Sequence, residues 1–188
     1  MRYFHLILQK HRQGKQYENL PPPKKILPAL ILAAFLPVQA AEVVGKYDLG
    51  NPKWRDTPVL SADGSLVAGE AHNDNRVWHA TVWRGQDYGD KIDLGTLRSD
   101  DSGESWVNAL SADGSLAAGR AHNDNGEGRA VVWRGKDYGD KLDLGTLKSD
   151  NSGWSVADAL SADGSLAAGQ AHNDNGEGRA VVWRGKDY

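Results

Sequence analysis

Short apolar runs, each cut off by Asp-Gly, Asn-Gly or another Gly-containing polar stretch, recur through residues 46–188. In the unit that opens at Asp93 these runs are Glu104–Leu110 (ESWVNAL), Ser115–His122 (SLAAGRAH), Arg129–Arg134 (RAVVWR) and Lys141–Leu147 (KLDLGTL). Each has the length of a strand, Glu104–Leu110 and Arg129–Arg134 carry aromatic and β-branched residues, and none has the 3.6-residue periodicity of a helix. Asp63-Gly64, Asp113-Gly114 and Asp163-Gly164 predict tight two-residue hairpins with both residues at positive φ. Asn123–Gly128 (NDNGEG) reads as a loop in every residue choice.

The whole pattern repeats every 50 residues: Ser161–Tyr188 reproduces Ser111–Tyr138 except that Gln170 replaces Arg120, and a more diverged copy starts at Ser61. A fixed period of this length points to stacked or radial repeats. Four strands per period predict an all-β repeat protein of about three four-stranded antiparallel β-propeller-like blades, or a fragment of a larger propeller, with units at approximately 46–92, 93–142 and 143–188. The alternative is a β-solenoid, which the hairpin turns disfavour because solenoid rungs join parallel strands. The first copy is shortened: Asp48 precedes Ser61 by 13 residues, where Asp93 and Asp143 precede Ser111 and Ser161 by 18. Lys46–Gly50 then reads as a lone fourth strand at one end, and Arg179–Arg184 as a third strand at the other. Pairing them within one chain would close a ring of three blades, below the usual range of about four to eight. A homo-oligomer joined by exchange of these terminal strands is the expected way out.

Residues 1–40 have a different composition. Met1–Lys25 carry six of the chain's 22 Lys and Arg and one acid, Glu18; the apolar run Ile26–Val38 follows, then Gln39-Ala40-Ala41. A basic stretch, a short apolar core and small residues at Val38 and Ala40 form the pattern of a secretory signal peptide cleaved after Ala40. The run is 13 residues and holds Pro28 and Pro37, against the ~20 apolar residues of a membrane-spanning helix. Residues 41–188 then form the β-repeat domain, with 16 Lys and Arg against 24 Asp and Glu, a net charge of −8. That balance disfavours nucleic acid and anionic lipid as partners. The chain has no cysteine, so packing and strand pairing must supply its stability.

The markers resemble the exported bacterial HAF repeat family and similar arrays in autotransporter passenger segments. The carriers are Asp93-Leu-Gly-Thr-Leu97 and Asp143-Leu-Gly-Thr-Leu147, the three Asp-Gly turns, Gly69, Gly119 and Gly169, and the strand His79-Ala80-Thr81-Val82-Trp83 with its counterparts Arg129–Trp133 and Arg179–Trp183. The resemblance covers residues 46–188. It implies export from a Gram-negative cell to the periplasm, the surface or the medium, and transfers no catalytic residue.

Candidate chemistry is sparse. His72, His122 and His172 are equivalent, yet equal spacing does not make them converge on a metal, and they read as strand-end residues. Asn123–Gly128 only superficially resembles a calcium loop: Asn123 and Asn125 alternate, but position 127 is Glu and Gly126 comes too early. Ser111-Ala112-Asp113-Gly114-Ser115 resembles a sialidase Asp-box with its Gly one residue early, and such boxes are structural turns. No cofactor, metal or catalytic residue is therefore expected. Trp83, Trp133 and Trp183 share one register and read as blade-to-blade core, while Trp54, Trp78, Trp106 and Trp154 do not and are the candidate ligand contacts. The expected function is an exported binding or adhesion module for a surface glycan or protein. A structural spacer is the alternative and a glycan-processing enzyme a distant third, because near-identical copies leave no singular acid, base and nucleophile.

Overall fold

The computed structural model describes residues 43, 45–50 and 58–185. Residues 1–40, the expected signal peptide, and Trp54 lie outside the described residues. The repeats fold into three blades. The first contains β1 (Val59–Leu60), β2 (Val67–His72), β3 (Trp78–Arg84) and β4 (Asp90–Asp93), hydrogen-bonded in that order. The second contains β5 (Ser105–Leu110), β6 (Ala117–His122), β7 (Gly128–Arg134) and β8 (Asp140–Asp143), again in order. The third contains β9 (Ser155–Leu160), β10 (Leu166–His172) and β11 (Gly178–Arg184). The strand pairs within these sheets are antiparallel. The architecture is thus propeller-like, as the hairpin spacing predicts, and a solenoid of parallel rungs is not what the chain builds.

The alternation of side chains along each strand sorts them between two neighbouring blades. On β3, Ala80 and Val82 point to the second blade and pack with Val107, Ala117, Val131 and Trp133. On β7 the matching Ala130 and Val132 pack with Ala157, Ala167 and Trp183 of the third blade. Strand three is therefore covered on both faces in the second blade, where Ala130, Val131, Val132 and Trp133 are fully buried. β11 has the same sequence, but Val182 is 63% exposed because nothing packs on its outer face among the described residues. Backbone bonds stitch the blades together: Ala62 N–H donates to the Ala112 carbonyl at 3.1 Å and Ala112 N–H to that of Ala162 at 3.0 Å. Ala80 N–H and Ala130 N–H each reach the hydroxyl of a serine in the next blade, Ser105 and Ser155, at 2.9 Å.

Three local expectations need correction. The Asp-Gly pairs do not form two-residue hairpins. Only the glycine has positive φ (+70° at Gly64, +69° at Gly114, +72° at Gly164). The turn is wider: Gly64 N–H bonds the Ser61 carbonyl, and Asp63 Oδ1 accepts from the Ser61 hydroxyl, the Ser65 N–H and the Ser65 hydroxyl. Those bonds, led by the one from Ser65 N–H, hold the Asp63 carboxyl at about 2, below its ordinary 3.8. The Asp-box-like sequence is thus a self-satisfied turn.

The fourth strand ends at Asp143, not Leu147. Gly145 sits at φ +76° and its N–H folds back to Asp143 Oδ1 at 2.8 Å, as Gly95 does to Asp93, so the Asp-Leu-Gly element is a corner that stops the strand.

Lys46–Gly50 is not a strand, and the third sheet has three strands among the described residues. The segment lies instead against the first blade, with the Tyr47 ring edge-on to Tyr88 at 5.2 Å. Between it and the sheet is a cavity of 280 Å³ lined by Tyr47, Leu49, Gly69 and Trp83.

Candidate functional site

The two ends of the blades differ in chemistry. At one end stand the serine–aspartate turns. Tyr88 donates its hydroxyl proton to the Gly64 carbonyl at 2.6 Å, Tyr138 does the same to Gly114, and Arg84 bridges Asp90 of its own blade and Asp137 of the next. The tyrosine hydroxyls, the turn aspartates and Arg84 are here committed to holding a turn or a neighbouring blade.

The opposite end carries the Asn-Asp-Asn hairpins. Asn123 Oδ1 accepts the N–H groups of Asn125 and Glu127, and its Nδ2 donates to Glu127 Oε2 at 2.9 Å. Asp124 Oδ1 accepts the N–H and the hydroxyl of Ser99 from the adjacent loop, at 2.8 and 3.0 Å. Glu127 Oε1 reaches Gly153 N–H in the third blade at 2.6 Å. This last bond, followed by that from Asn123, holds the Glu127 carboxyl below its usual value. The loop that resembles a calcium site thus spends its oxygens on its own turn and on neighbouring loops. The first blade has a polar hollow of 270 Å³ here, lined by Asn73, Asp74, Asn75, Lys91 and Asp93.

These hairpins place His72, His122 and His172 at equivalent strand ends, and each histidine meets one of the irregular tryptophans. In the first blade Trp78 pairs across from His72, and the two rings lie 3.8 Å apart. In the second, position 128 is Gly, and Trp106 comes from β5 to stand edge-on to His122 at 5.7 Å. In the third, Trp154 comes from the residue before β9 and sits 5.6 Å from His172. Arg120 stacks its guanidinium over Trp106 at 4.1 Å, a cation–π geometry. The three tryptophans, each half-buried, therefore each stand beside an equivalent histidine, reached by three sequence routes. Repeat alignment cannot show this, because it compares residues at equal spacing. His122 Nδ1 also accepts the Glu104 N–H at 3.1 Å, so this imidazole is fixed as well as presented. No group of three or more His, Cys, Asp or Glu with metal-binding geometry occurs among the described residues.

The regular tryptophans sit elsewhere. Trp133 is fully buried between the first two blades, and Trp83 is 7% exposed. The histidine of the His-Ala-Thr-Val-Trp strand is also structural. His79 is buried and donates from Nδ1 to Asp93 Oδ1 at 2.8 Å. In the second blade Arg129 takes its place, bonded to Asn151 and 3.3 Å from Asp143.

The His79–Asp93 pair predicts a pH signature. Burial lowers the His79 pKa, but the hydrogen bond and charge of Asp93 outweigh it and leave it above 6.5. Asp93 is raised by burial and lowered more by His79 and Gly95, ending below 3.8. The His79 contribution is complete below 6.5 and lost as pH rises through the raised value. The Asp93 contribution is present above 3.8 and lost as pH falls through the lowered one. Melting temperatures measured between about pH 5 and about pH 8 are expected to fall on the alkaline side in the native chain. Asp93→Asn should flatten that slope; an unchanged slope would remove His79 as its source.

No family model matches the chain, and no curated protein matches it. Among solved structures it is similar to TolB from Acinetobacter baumannii, at 15% identity and a TM-score of 0.51, over 69% of this chain and 29% of that one. The chain thus spans less than a third of that protein, and the likeness is one of fold. Together with the three blades it establishes that residues 58–185 form an all-β, propeller-like array.

Proposed function

We propose that this chain is an exported, HAF-like repeat module that binds a glycan or protein ligand at a cell surface through the histidine–tryptophan end of its blades. The observation that carries this reading is the placement of Trp78, Trp106 and Trp154 beside the equivalent histidines. Core packing does not require these half-buried rings, since the interblade apolar clusters are built from other residues. Half-exposed indole beside imidazole and guanidinium offers flat apolar area with polar donors at its edge, a combination common where proteins meet sugars or other proteins. The signal-peptide pattern of residues 1–40 supports a site of action outside the cytoplasm. The near-identity of the second and third copies favours the spacer as second reading, since a scaffold needs only repetition. An enzyme is the least supported of the three.

A glycan array and a cell-adhesion assay separate these readings. The native chain should be retained. Trp106→Ala should weaken binding ~30-fold, the order expected when an aromatic anchor worth about 2 kcal/mol is removed. Arg84→Ala, at the opposite end, should leave binding unchanged. Retention that survives the triple replacement of Trp78, Trp106 and Trp154 by alanine would place the ligand elsewhere. Absence of binding by the native chain would leave the spacer.

A further inference from the structure

The second blade grips a loop of its own chain with residues whose counterparts line the polar hollow of the first blade. The loop that follows β4 meets the second blade at three points. Ser99 gives its N–H and its hydroxyl to Asp124 Oδ1 at 2.8 and 3.0 Å. Leu97 N–H donates to the His122 carbonyl at 3.0 Å, and Lys141 Nζ donates to the Thr96 carbonyl at 2.9 Å. The third blade repeats the first two contacts, with Ser149 on Asp174 and Leu147 N–H on the His172 carbonyl.

In the first blade the equivalent residues are Asp74, His72 and Lys91, and their bonding differs. Lys91 Nζ donates to the His72 carbonyl at 2.8 Å, the acceptor that Leu97 and Leu147 N–H find in the later blades. The Asp74 carboxylate accepts no hydrogen bond from a described residue. The connection into this blade spans 13 residues from Asp48 to Ser61 where the later ones span 18, and residues 51–60 contain no serine. The hollow of 270 Å³ is lined by Asn73, Asp74, Asn75, Lys91 and Asp93. Asn73 Oδ1 is committed to the Asn75 and Val77 N–H groups, and Asp93 to His79 and Gly95. A ligand is therefore offered the Asp74 carboxylate, the Asn75 amide and the remaining protons of the Lys91 ammonium.

Ser99 shows what chemistry such a carboxylate takes. It brings two donors, an amide N–H and a hydroxyl on neighbouring carbons, to one carboxylate oxygen. A 2-acetamido sugar carries the same pair, an amide N–H on C2 and a hydroxyl on C3. We propose that the hollow binds a 2-acetamido-2-deoxyhexose unit of a glycan, with its amide N–H and adjacent hydroxyl on Asp74 and one of its oxygens on Lys91. Bonds to an ionised carboxylate and ammonium are the strong kind. The volume lies just under the range of about 300–1,000 Å³ typical of small-molecule pockets, which matches one sugar ring better than several. A protein partner is disfavoured because every lining residue is polar, whereas protein contacts concentrate their energy in aromatic, apolar or arginine anchors. The site stands apart from the tryptophan rim. Trp78 and His79 alternate to opposite faces of β3, and it is His79 that bonds Asp93 of the hollow.

Titration of the chain with N-acetylglucosamine, followed by calorimetry or NMR, is expected to show weak, saturable binding. Glucose, which lacks the acetamido group, should bind more weakly. Asp74→Ala should lower the affinity for N-acetylglucosamine ~10-fold or more, the order for losing hydrogen bonds to a charged group. The Asp74 side chain holds no turn among the described residues, so this variant should melt as the native chain does. Trp106→Ala should leave the affinity unchanged, which separates the hollow from the rim. No binding by the native chain, equal binding of glucose, or an affinity indifferent to Asp74→Ala would each overturn the proposal. So would tighter binding of a serine-containing peptide than of the sugar, which would make the hollow a protein-docking site. Surface adhesion through the tryptophan rim, read by Trp106→Ala, stands or falls independently of these results.

Discussion

Gly114→Val should destabilise the protein by about 3 kcal/mol or more, whereas Gly64→Val, the same change in the same turn of the first blade, should cost markedly less. Both glycines sit near φ +70°, and a β-branched residue there costs about 1–2 kcal/mol in backbone strain. At Gly64 the cost ends there, since nothing lies within 4 Å of the added Cβ. At Gly114 the Cβ would lie 2.2 Å from Leu66 Cδ1, and the blades are held together beside it by the Ala62–Ala112 bond. Relieving that overlap means separating two blades or twisting Leu66, adding about 1–3 kcal/mol. Gly128→Ala should be milder than Gly114→Val: its φ is ordinary and its nearest neighbour, at 2.9 Å, is the flexible Arg120 side chain. Urea melts of the three variants measure this; equal losses at Gly64 and Gly114 would mean that Leu66 does not pack on the following turn.

Trp133→Ala is the second large effect, with an expected loss of about 3–5 kcal/mol. The ring is fully buried between the first and second blades, in a cluster with Ala68, Ala80, Val82 and Val131. Small residues on the facing strands leave the indole to fill the gap, and their backbones cannot close in to replace it. Trp106→Ala, on the half-buried rim, should cost much less stability. Thermal unfolding of the two variants gives the comparison, and a Trp133→Ala melt close to native would contradict the packing of these blades. Against a typical total of about 5–15 kcal/mol, either Gly114→Val or Trp133→Ala consumes a large share.

Much of the fold was legible because the period of 50 residues fixes equivalence between blades, and apolar alternation marks strands two and three plainly. The core role of Trp83 and Trp133 followed from their shared register. Local turn chemistry was harder to read. Asp63-Gly64 has the letters of a two-residue hairpin, but Ser61 and Ser65 offer the carboxylate better partners in a wider loop. The Asp-Leu-Gly element looked like strand through Leu147 because leucines recur at 142, 144 and 147, while the left-handed Gly145 ends pairing at Asp143. Lys46–Gly50 carries the same element and its corner without a partner strand, so sequence pattern alone overstated it. The rim was half legible: Trp78, Trp106 and Trp154 stood out as irregular, but their shared position beside His72, His122 and His172 depends on cross-strand placement. Arg129 and Arg179 make the same point, with identical neighbours in sequence and opposite burial.

The stitching of one blade to the next has a consequence for how such a chain can change over generations. Ala62 and Ala112 each give an N–H to the carbonyl of the equivalent alanine in the following copy, and Leu66 and Leu116 each meet a turn glycine there. The junction between any two copies is therefore chemically interchangeable with the next. Excising Ser111–Leu160 joins Leu110 to Ser161 and recreates a native boundary, and duplicating the same 50 residues does so again. Unequal recombination between near-identical gene segments would thus alter copy number in frame and yield a folded product each time. The surface presented at the tryptophan end could lengthen or shorten as a unit, with no compensating substitution in the interior.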